Sequence, residues 1–465
     1  MMDQSSGTYI NGVFLSRGIK PNLRVEYTVY LPTATPKNGK YALLFSHDGS
    51  RAGTVEAAER LMQTGAMPPT VVLGAVAGYL MATLDGGIDR RMRMDNYDIF
   101  DPAFPDFVVD ELIPYVAKTH GISISENPDL HMAFGGSSGG ISSWNLAWFR
   151  TDYFHRVYMS SPSFLSMGNG REMPALIRKC ETKPIRVWVE YSENEPDDYF
   201  GSSLAAAIDA VRALRFAGYD MQDRYFAGEG HCSRERDVEN LCDAFTFLWK
   251  NWETEPVTAP RSSPRFERVF VPNTRWEIVT DCKEKSDRKT VECPSLGGCF
   301  VERGCEILWE KDGVATTVAN FFGEISAMGL SCDGWRIYVA SRTVPCVYAM
   351  NVLPDGRLEG GYLHGSIHTY TAARYVGVTD LCVDAHDRIF AATECGIQSI
   401  RPFGLIDVIA PMPSAESPKL VSIENREDGA YLAVLTEKGN CYERPLCAYS
   451  ETLASGVPFP TAYYD

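Results

Sequence analysis

The run Phe134-Gly-Gly-Ser-Ser-Gly-Gly-Ile141 constrains this chain more than any other stretch, because it sets a Gly-x-Ser-x-Gly turn between a strand-like and a helix-like segment. A serine on such an elbow takes a strained backbone conformation, and glycines two residues to either side keep Cβ atoms from clashing as the chain folds back. Leu130-His-Met-Ala-Phe134 reads as the strand. Ile141 to Phe149, with apolar Ile141, Trp144, Leu146, Trp148 and Phe149, reads as a buried helix whose free N–H groups point at the reacting centre. Two frames overlap, one on Ser137 (Gly135, Gly139) and one on Ser138 (Gly136, Gly140). The preferred nucleophile is Ser138, whose following Gly139 brings an N–H to an oxyanion; Ser137 is the alternative.

A serine nucleophile needs a base, and in this kind of sheet protein the chain order is serine, acid, histidine. Of the eight histidines, His47, His120 and His131 precede the serine, His155 follows too closely, and His364, His368 and His386 lie in a region of different texture. His231 remains, in Ala227-Gly-Glu-Gly-His-Cys232 directly after the strand-like Asp223 to Phe226. That places it on a loop at the carboxyl end of a strand, where such sheets carry their sites. The acid belongs after the strand Ile185 to Val189. Glu193, Glu195, Asp197 and Asp198 all stand there and stay open as candidates to orient the imidazole.

The residues from about Leu23 to Trp252 resemble the esterase family of enterochelin esterases and the related feruloyl and acetyl esterases of polysaccharide breakdown. The resemblance is carried by Phe45-Ser-His-Asp-Gly49, Arg93-Met-Asp-Asn-Tyr-Asp98, Phe107 to Tyr115, Gly136 to Ile141, and Ala217-Gly-Tyr219 ahead of Gly228-Glu-Gly-His231. It implies an α/β-hydrolase sheet with covering helices and a triad of Ser138, His231 and Glu195, although glutamate stands where the family has aspartate. It also implies an oxyanion hole from Gly49, Ser50 and Gly139. Arg93 matches a family arginine beside the site, with pairing to Asp95 or Asp98 as its other reading.

At 465 residues two domains are expected, with residues 1–254 as the esterase domain, a linker at 255–265 and a β domain over 266–465. The join is marked by three prolines among small polar residues between Glu253 and Pro264. Ahead of it, apolar runs such as Val71 to Val76 alternate with helical stretches such as Leu204 to Phe216, which implies a mainly parallel sheet covered on both faces. Beyond it, Gly329 to Ala340 is echoed by Asp380 to Ala392 and more faintly by Leu420 to Leu435, the pattern of propeller blades.

Residues from about Trp276 to Pro445 resemble the gluconolactonase and senescence-marker-type propellers, carried by Met328-Gly-Leu330, Tyr348 to Leu358 and Ala391 to Ile397. That family holds a divalent metal through Glu, Asn and Asp. Glu292 matches the Glu, but Met328 and Thr379 replace oxygen ligands, and a thioether and a hydroxyl are poor substitutes. Asp380 beside Thr379 is the one alternative ligand. The expectation is a shortened, metal-free propeller-like domain serving as scaffold, partner surface or wall, and no cofactor.

The formal charge of −16 argues against nucleic acid or an anionic membrane as partner, and no apolar run is long enough to span a bilayer. Thirteen cysteines without a Cys-x-x-Cys pair, and a start lacking the apolar core of a signal peptide, read as reduced thiols in a cytoplasmic protein; a secreted protein with a few bridges in the second domain is the alternative. The function expected is a serine carboxylester hydrolase working through an acyl-enzyme on acetyl or feruloyl esters of carbohydrate. A siderophore lactone esterase, an inactive carbohydrate-binding or scaffold protein, and a metal-dependent lactonase in the second domain are the alternatives.

Overall fold

The computed structural model describes residues 7–50, 52–260, 265–280, 290–370, 376–413 and 416–447. The chain divides into two compact units, residues 1–178 with 182–260, and residues 179–181 with 261–465.

The first unit is built on a ten-stranded mixed sheet. Its parallel part runs in the order β12 (Asp220–Gly230), β9 (Arg186–Asn194), β8 (Arg156–Ser160), β7 (His131–Gly136), β3 (Ala42–His47) and β4 (Thr70–Ala75). Beyond β4 the sheet turns antiparallel through β2 (Leu23–Leu31), which also pairs with β1 (Thr8–Leu15), and ends in the short β5 (Tyr79–Leu80) and β6 (Arg90–Arg91). Strands β3, β4, β7 and β8 are buried at every residue, as a parallel sheet covered on both faces demands. This is an α/β-hydrolase-type domain. The helix expected over 204–216 spans Ser203–Ala217, its Ser202 hydroxyl capping the Ala205 N–H and Gly218 closing it in the left-handed region.

One face of the sheet packs on α1 (Ala52–Thr64) and α8 (Val238–Leu248) through Val55, Ala58, Leu61, Phe134, Tyr158, Trp188, Leu241, Phe245 and Leu248. The carboxyl end of α8 is held by two guanidinium groups. Arg156 donates to Leu248 O and stacks on Trp249, and Arg186 donates to Leu248 O and Lys250 O at 3.2 and 2.9 Å. Cations at a helix C-terminus meet the orphan carbonyls there. The amino end is capped by Asp237, which accepts from Glu239 and Asn240 N–H. Fixing α8 at both ends fixes the loop that precedes it, residues 231–237.

The second unit is all-β, with four four-stranded antiparallel sheets in a propeller-like arrangement. Three run consecutively, from Thr290–Cys293 to Val314–Asn320, from Ile325–Leu330 to Leu358–Ser366, and from Asp380–Val383 to Ile406–Ala410. The fourth takes Pro418–Arg426, Gly429–Thr436 and Cys441–Pro445 and is completed by Glu277–Val279 from the start of the unit. The repeated sequences map onto the first hairpins of the second, third and fourth sheets. Two apolar clusters bind the sheets in neighbouring pairs, one around Phe300, Trp309, Met328 and Ile337 and one around Phe390, Val408, Leu432 and Tyr442.

The thiol expectation needs a correction, because Cys441 is disulfide-bonded; the other eleven cysteines among the described residues are free. Among the described residues no helix is long and apolar enough to cross a membrane.

Phe245 lies at 0% exposure in the contact between α8 and the sheet, edge-on to both Phe134 and Tyr158. Phe245→Ala removes that ring from a packed core and is expected to cost about 3–5 kcal/mol in chemical denaturation. A cost below about 1 kcal/mol would mean that α8 is not seated on the sheet as described.

Candidate active site

The turn after β7 carries the strained residue the sequence demands, and that residue is Ser137. It has φ 58° and ψ −126°, a region L-residues avoid at a cost of roughly 1–3 kcal/mol. The strain is held by tight packing. A Cβ on Gly135 would lie 2.3 Å from Gly139 O, and one on Gly136 would lie 2.1 Å from a Glu235 carboxylate oxygen and 3.0 Å from Cys232 Sγ. Ser137 N–H is tied to Ser160 O at 2.8 Å, and its hydroxyl meets Ser163 Oγ at 3.2 Å.

Ser138, the residue preferred from sequence, begins helix α5 (Ser138–Phe149) and is 3% exposed, with its hydroxyl bonded to the Asp98 carboxylate. Gly140 and Ile141 N–H both return to Ser137 O, leaving the N–H groups of Ser138 and Gly139 at the open end of the helix. The elbow strain therefore falls on the serine of the alternative frame, Ser137, with the Ser138 N–H left at the open helix end beside it.

Of the other expected oxyanion donors, Gly49 spends its N–H on Ala75 O at 3.3 Å, which leaves that of Ser50. Ser50 sits over Gly74 so closely that a Cβ there would be 1.9 Å from Ser50 N. The preceding Asp48 has φ 59°, and its carboxylate lies 3.5 Å from where a Cβ on Gly139 would stand.

His231 is on the loop after β12, as expected, and its Nδ1 lies 2.5 Å from Glu195 Oε2. The Glu195 side chain is fully buried; it also accepts from the Ser161 hydroxyl and from Ser192 N–H at 3.0 Å. Among the four carboxylates left open, only Glu195 meets the histidine. Glu193 accepts from Gly228 N–H at 2.6 Å and so anchors the histidine loop, while Asp197 and Asp198 are exposed in a small hairpin with Gly201 and Ser202. No hydrogen bond joins His231 to Ser137 or Ser138. Catalytic contacts of this kind commonly tighten only with substrate bound.

Ser161 escaped the sequence reading, and Asp98 entered it only as a partner for Arg93. Ser161, at φ 45°, donates to Glu195 and accepts from Cys232 N–H at 3.0 Å, so one hydroxyl ties the acid to the histidine loop. Asp98 is 2% exposed and holds Ser138. The available signals were a Ser-Pro-Ser run at the carboxyl end of a parallel strand and an aspartate closing a short helix, both too common to stand out.

Arg93 does not pair with Asp95 or Asp98. Its guanidinium grips both oxygens of Asp48, at 3.1 and 2.8 Å, and Asp95 is taken by Arg90 at 2.8 Å.

Burial pushes the Asp98 carboxyl up to about 6, against the opposing effects of Ser138 and Arg93. Burial also acts to raise Glu195, but the His231 ring and the Ser161 hydroxyl outweigh it and hold its carboxyl below the usual range. The Cys232 side chain and the Glu195 carboxylate push the His231 imidazolium well above the ordinary histidine value. A neutral thiol accepts only weakly, so the Glu195 pairing is the part that persists near neutral pH.

Among its described residues the second unit offers no comparable set. Glu292 is exposed, Met328 lies in an apolar cluster, the Thr379 hydroxyl bonds Pro418 O and Ala392 O at 3.0 and 3.2 Å, and Asp380 accepts from Val421 N–H at 2.7 Å. Among the described residues no group of three or more His, Cys, Asp or Glu side chains could hold a metal. These residues do not fit the divalent-metal site of the resembled propellers.

Residues 20–221 match the family model named Esterase, which supports a carboxylic ester hydrolase. No curated protein matches the chain. Among solved structures, a ferulic acid esterase aligns at 20% identity and TM-score 0.39, over 52% of this chain and 98% of that one. The enterobactin esterase of Shigella flexneri aligns at 18% identity and TM-score 0.39, over 52% and 59%. The ferulic acid esterase of the anaerobic fungus Anaeromyces mucronatus aligns at 15% identity and TM-score 0.41, over 53% and 91%. Likeness at this level carries nothing about substrate.

Because the His231 proton is retained in the ion pair, NMR titration of its ring is expected to give a pKa well above the ordinary value of about 6.5. Glu195→Gln, which removes the charge and keeps the size, is expected to bring it down by about one unit or more. A wild-type ring that titrates at or below about 6.5 would contradict the His231–Glu195 pairing.

Proposed function

We propose that this chain is a serine carboxylester hydrolase acting through an acyl-enzyme, with Ser137 as nucleophile, His231 as base and Glu195 as the acid that orients it. The single observation that carries the reading is the strained conformation of Ser137 on the elbow between β7 and α5, in a unit where His231 is bonded to a buried carboxylate. His231 Nε2 takes the proton of Ser137 Oγ as that oxygen attacks the ester carbonyl. The carbonyl oxygen then gathers charge beside the N–H groups of Ser138 and Ser50, each donor contributing on the order of 3 kcal/mol at the transition state. Imidazolium protonates the leaving alcohol, and a water activated by the same ring releases the acid.

The substrate class that fits best is an acetyl or feruloyl ester of carbohydrate. A siderophore lactone is disfavoured by the engagement of Arg93 with Asp48 and of Arg90 with Asp95, which withdraws two of the three clustered arginines from an anionic ligand. The second unit is read as a shortened gluconolactonase-type propeller that has lost its metal chemistry and serves as scaffold or partner surface.

Hydrolysis of p-nitrophenyl acetate and methyl ferulate tests the reading. Ser137→Ala is expected to lower kcat by more than about a thousandfold, as loss of a nucleophile does, whereas Ser138→Ala retains turnover within about tenfold because it removes only an orienting hydroxyl. EDTA is expected to leave both rates unchanged. Loss of activity in Ser138→Ala with retention in Ser137→Ala would return the nucleophile to the other frame. Sensitivity to EDTA would move the chemistry away from this site.

The rate is expected to follow the base form of His231. With its pKa raised, the neutral imidazole grows as pH increases, so kcat/KM is expected to rise through neutrality and level off on the alkaline side. A profile flat from about pH 5 upward would mean that no group with a histidine-like or higher pKa limits the reaction.

A further inference from the structure

We propose that Asp48 determines substrate charge by clamping Arg93, so that the site takes esters uncharged around the scissile carbonyl and rejects those bearing a carboxylate on the acyl side. This rests on the ester hydrolase reading above and deepens it.

Arg93 opens helix α2 (Arg93–Tyr97) and is half-buried, with its guanidinium over the Tyr97 ring and paired with Asp48. Both donor sides used in a fork-to-fork pairing are spent on Asp48, Nε on Oδ1 at 3.1 Å and NH2 on Oδ2 at 2.8 Å. A guanidinium paired side-on with a carboxylate has its charge matched and that edge filled, leaving only its NH1/NH2 end, without net charge to offer, for a substrate carboxylate. The pair is not a remote surface bridge. One Asp48 oxygen lies 3.5 Å from the Cβ position of Gly139, the second residue after Ser137, and Asp98, also negative, is bonded to Ser138 on the neighbouring side. Two carboxylates and one guanidinium thus border the helix end where the oxyanion forms, an environment that repels a second negative charge. Of the other clustered arginines, Arg90 is paired with Asp95, and Arg91 is exposed on β6.

The ratio of kcat/KM for mono-p-nitrophenyl succinate, an anionic ester, to that for neutral p-nitrophenyl butyrate tests the clamp within each variant. Asp48→Asn keeps the size and tolerates the left-handed φ of 59°, and frees Arg93. The ratio is expected to rise at least about fivefold, and to fall back to the wild-type value in Asp48→Asn/Arg93→Gln, since a complementary charge contributes through recognition of its partner. A ratio unmoved by Asp48→Asn, or a gain that survives loss of Arg93, would overturn the proposal.

The Arg93 Nε–H resonance decides the same point without turnover. Succinate is expected to shift it in Asp48→Asn and to leave it in place in the wild type, and a wild-type shift as large as the variant's would overturn the clamp. Failure of the ester hydrolase reading shows separately, as absence of turnover on both esters together with an unlabelled Ser137 after fluorophosphonate treatment.

Discussion

The close approach of Gly135 to the Gly139 carbonyl is the contact on which the first unit's site depends. With a separation of 2.3 Å from the position a Cβ would occupy, no residue but glycine permits the helix to leave the strand at that angle. The reversal throws Ser137 into its strained conformation and lifts its hydroxyl out at the carboxyl edge of the sheet. The neighbouring glycines let other segments close in: Gly136 admits Cys232 and Glu235 of the histidine loop, and Gly139 admits His47 at the end of β3 and Asp48 just after it. Three segments distant in sequence converge because the elbow presents backbone where side chains would keep them apart.

Charge around this backbone is organised by burial and pairing. Glu195 is buried yet kept ionised by a histidine ring, a serine hydroxyl and a backbone N–H, which is the satisfaction a buried carboxylate needs. Asp98 has one hydroxyl partner and a raised carboxyl, and one of its oxygens is buried without a hydrogen bond, so its charge is held less firmly. Asp48 is matched by Arg93. The outcome is a site whose one strong dipole toward the reacting centre is the amino end of α5, with side-chain charges largely cancelled against each other. That suits a reaction in which negative charge appears only transiently on a carbonyl oxygen.

The second unit follows a different logic. Its four sheets each bury their faces against neighbours, so the sequence repeats wherever the first hairpin of a sheet must present the same pattern of small and apolar residues. Completing the last sheet with Glu277–Val279 joins the two ends of the unit without any shared motif. Met328 goes to core packing, and the Thr379 hydroxyl goes to backbone hydrogen bonding.

The sequence by itself determined the strand–turn–helix around Phe134 to Ile141, the place of His231 on a loop at the carboxyl end of a strand, the parallel core strands and the repeating hairpins beyond the proline-rich join. These are local properties, written in glycine spacing and in the periodicity of apolar residues, and a reader of the chain can see them without coordinates. Tertiary structure decided which of two adjacent serines bears the strain, because both frames satisfy the glycine rule and only the packing of Gly135 on Gly139 separates them. It also decided which of four carboxylates meets the histidine and that Arg93 turns to Asp48, 45 positions away, rather than to the aspartates beside it. Contacts of that kind depend on where strands end in space, and distance along the chain carries no record of it.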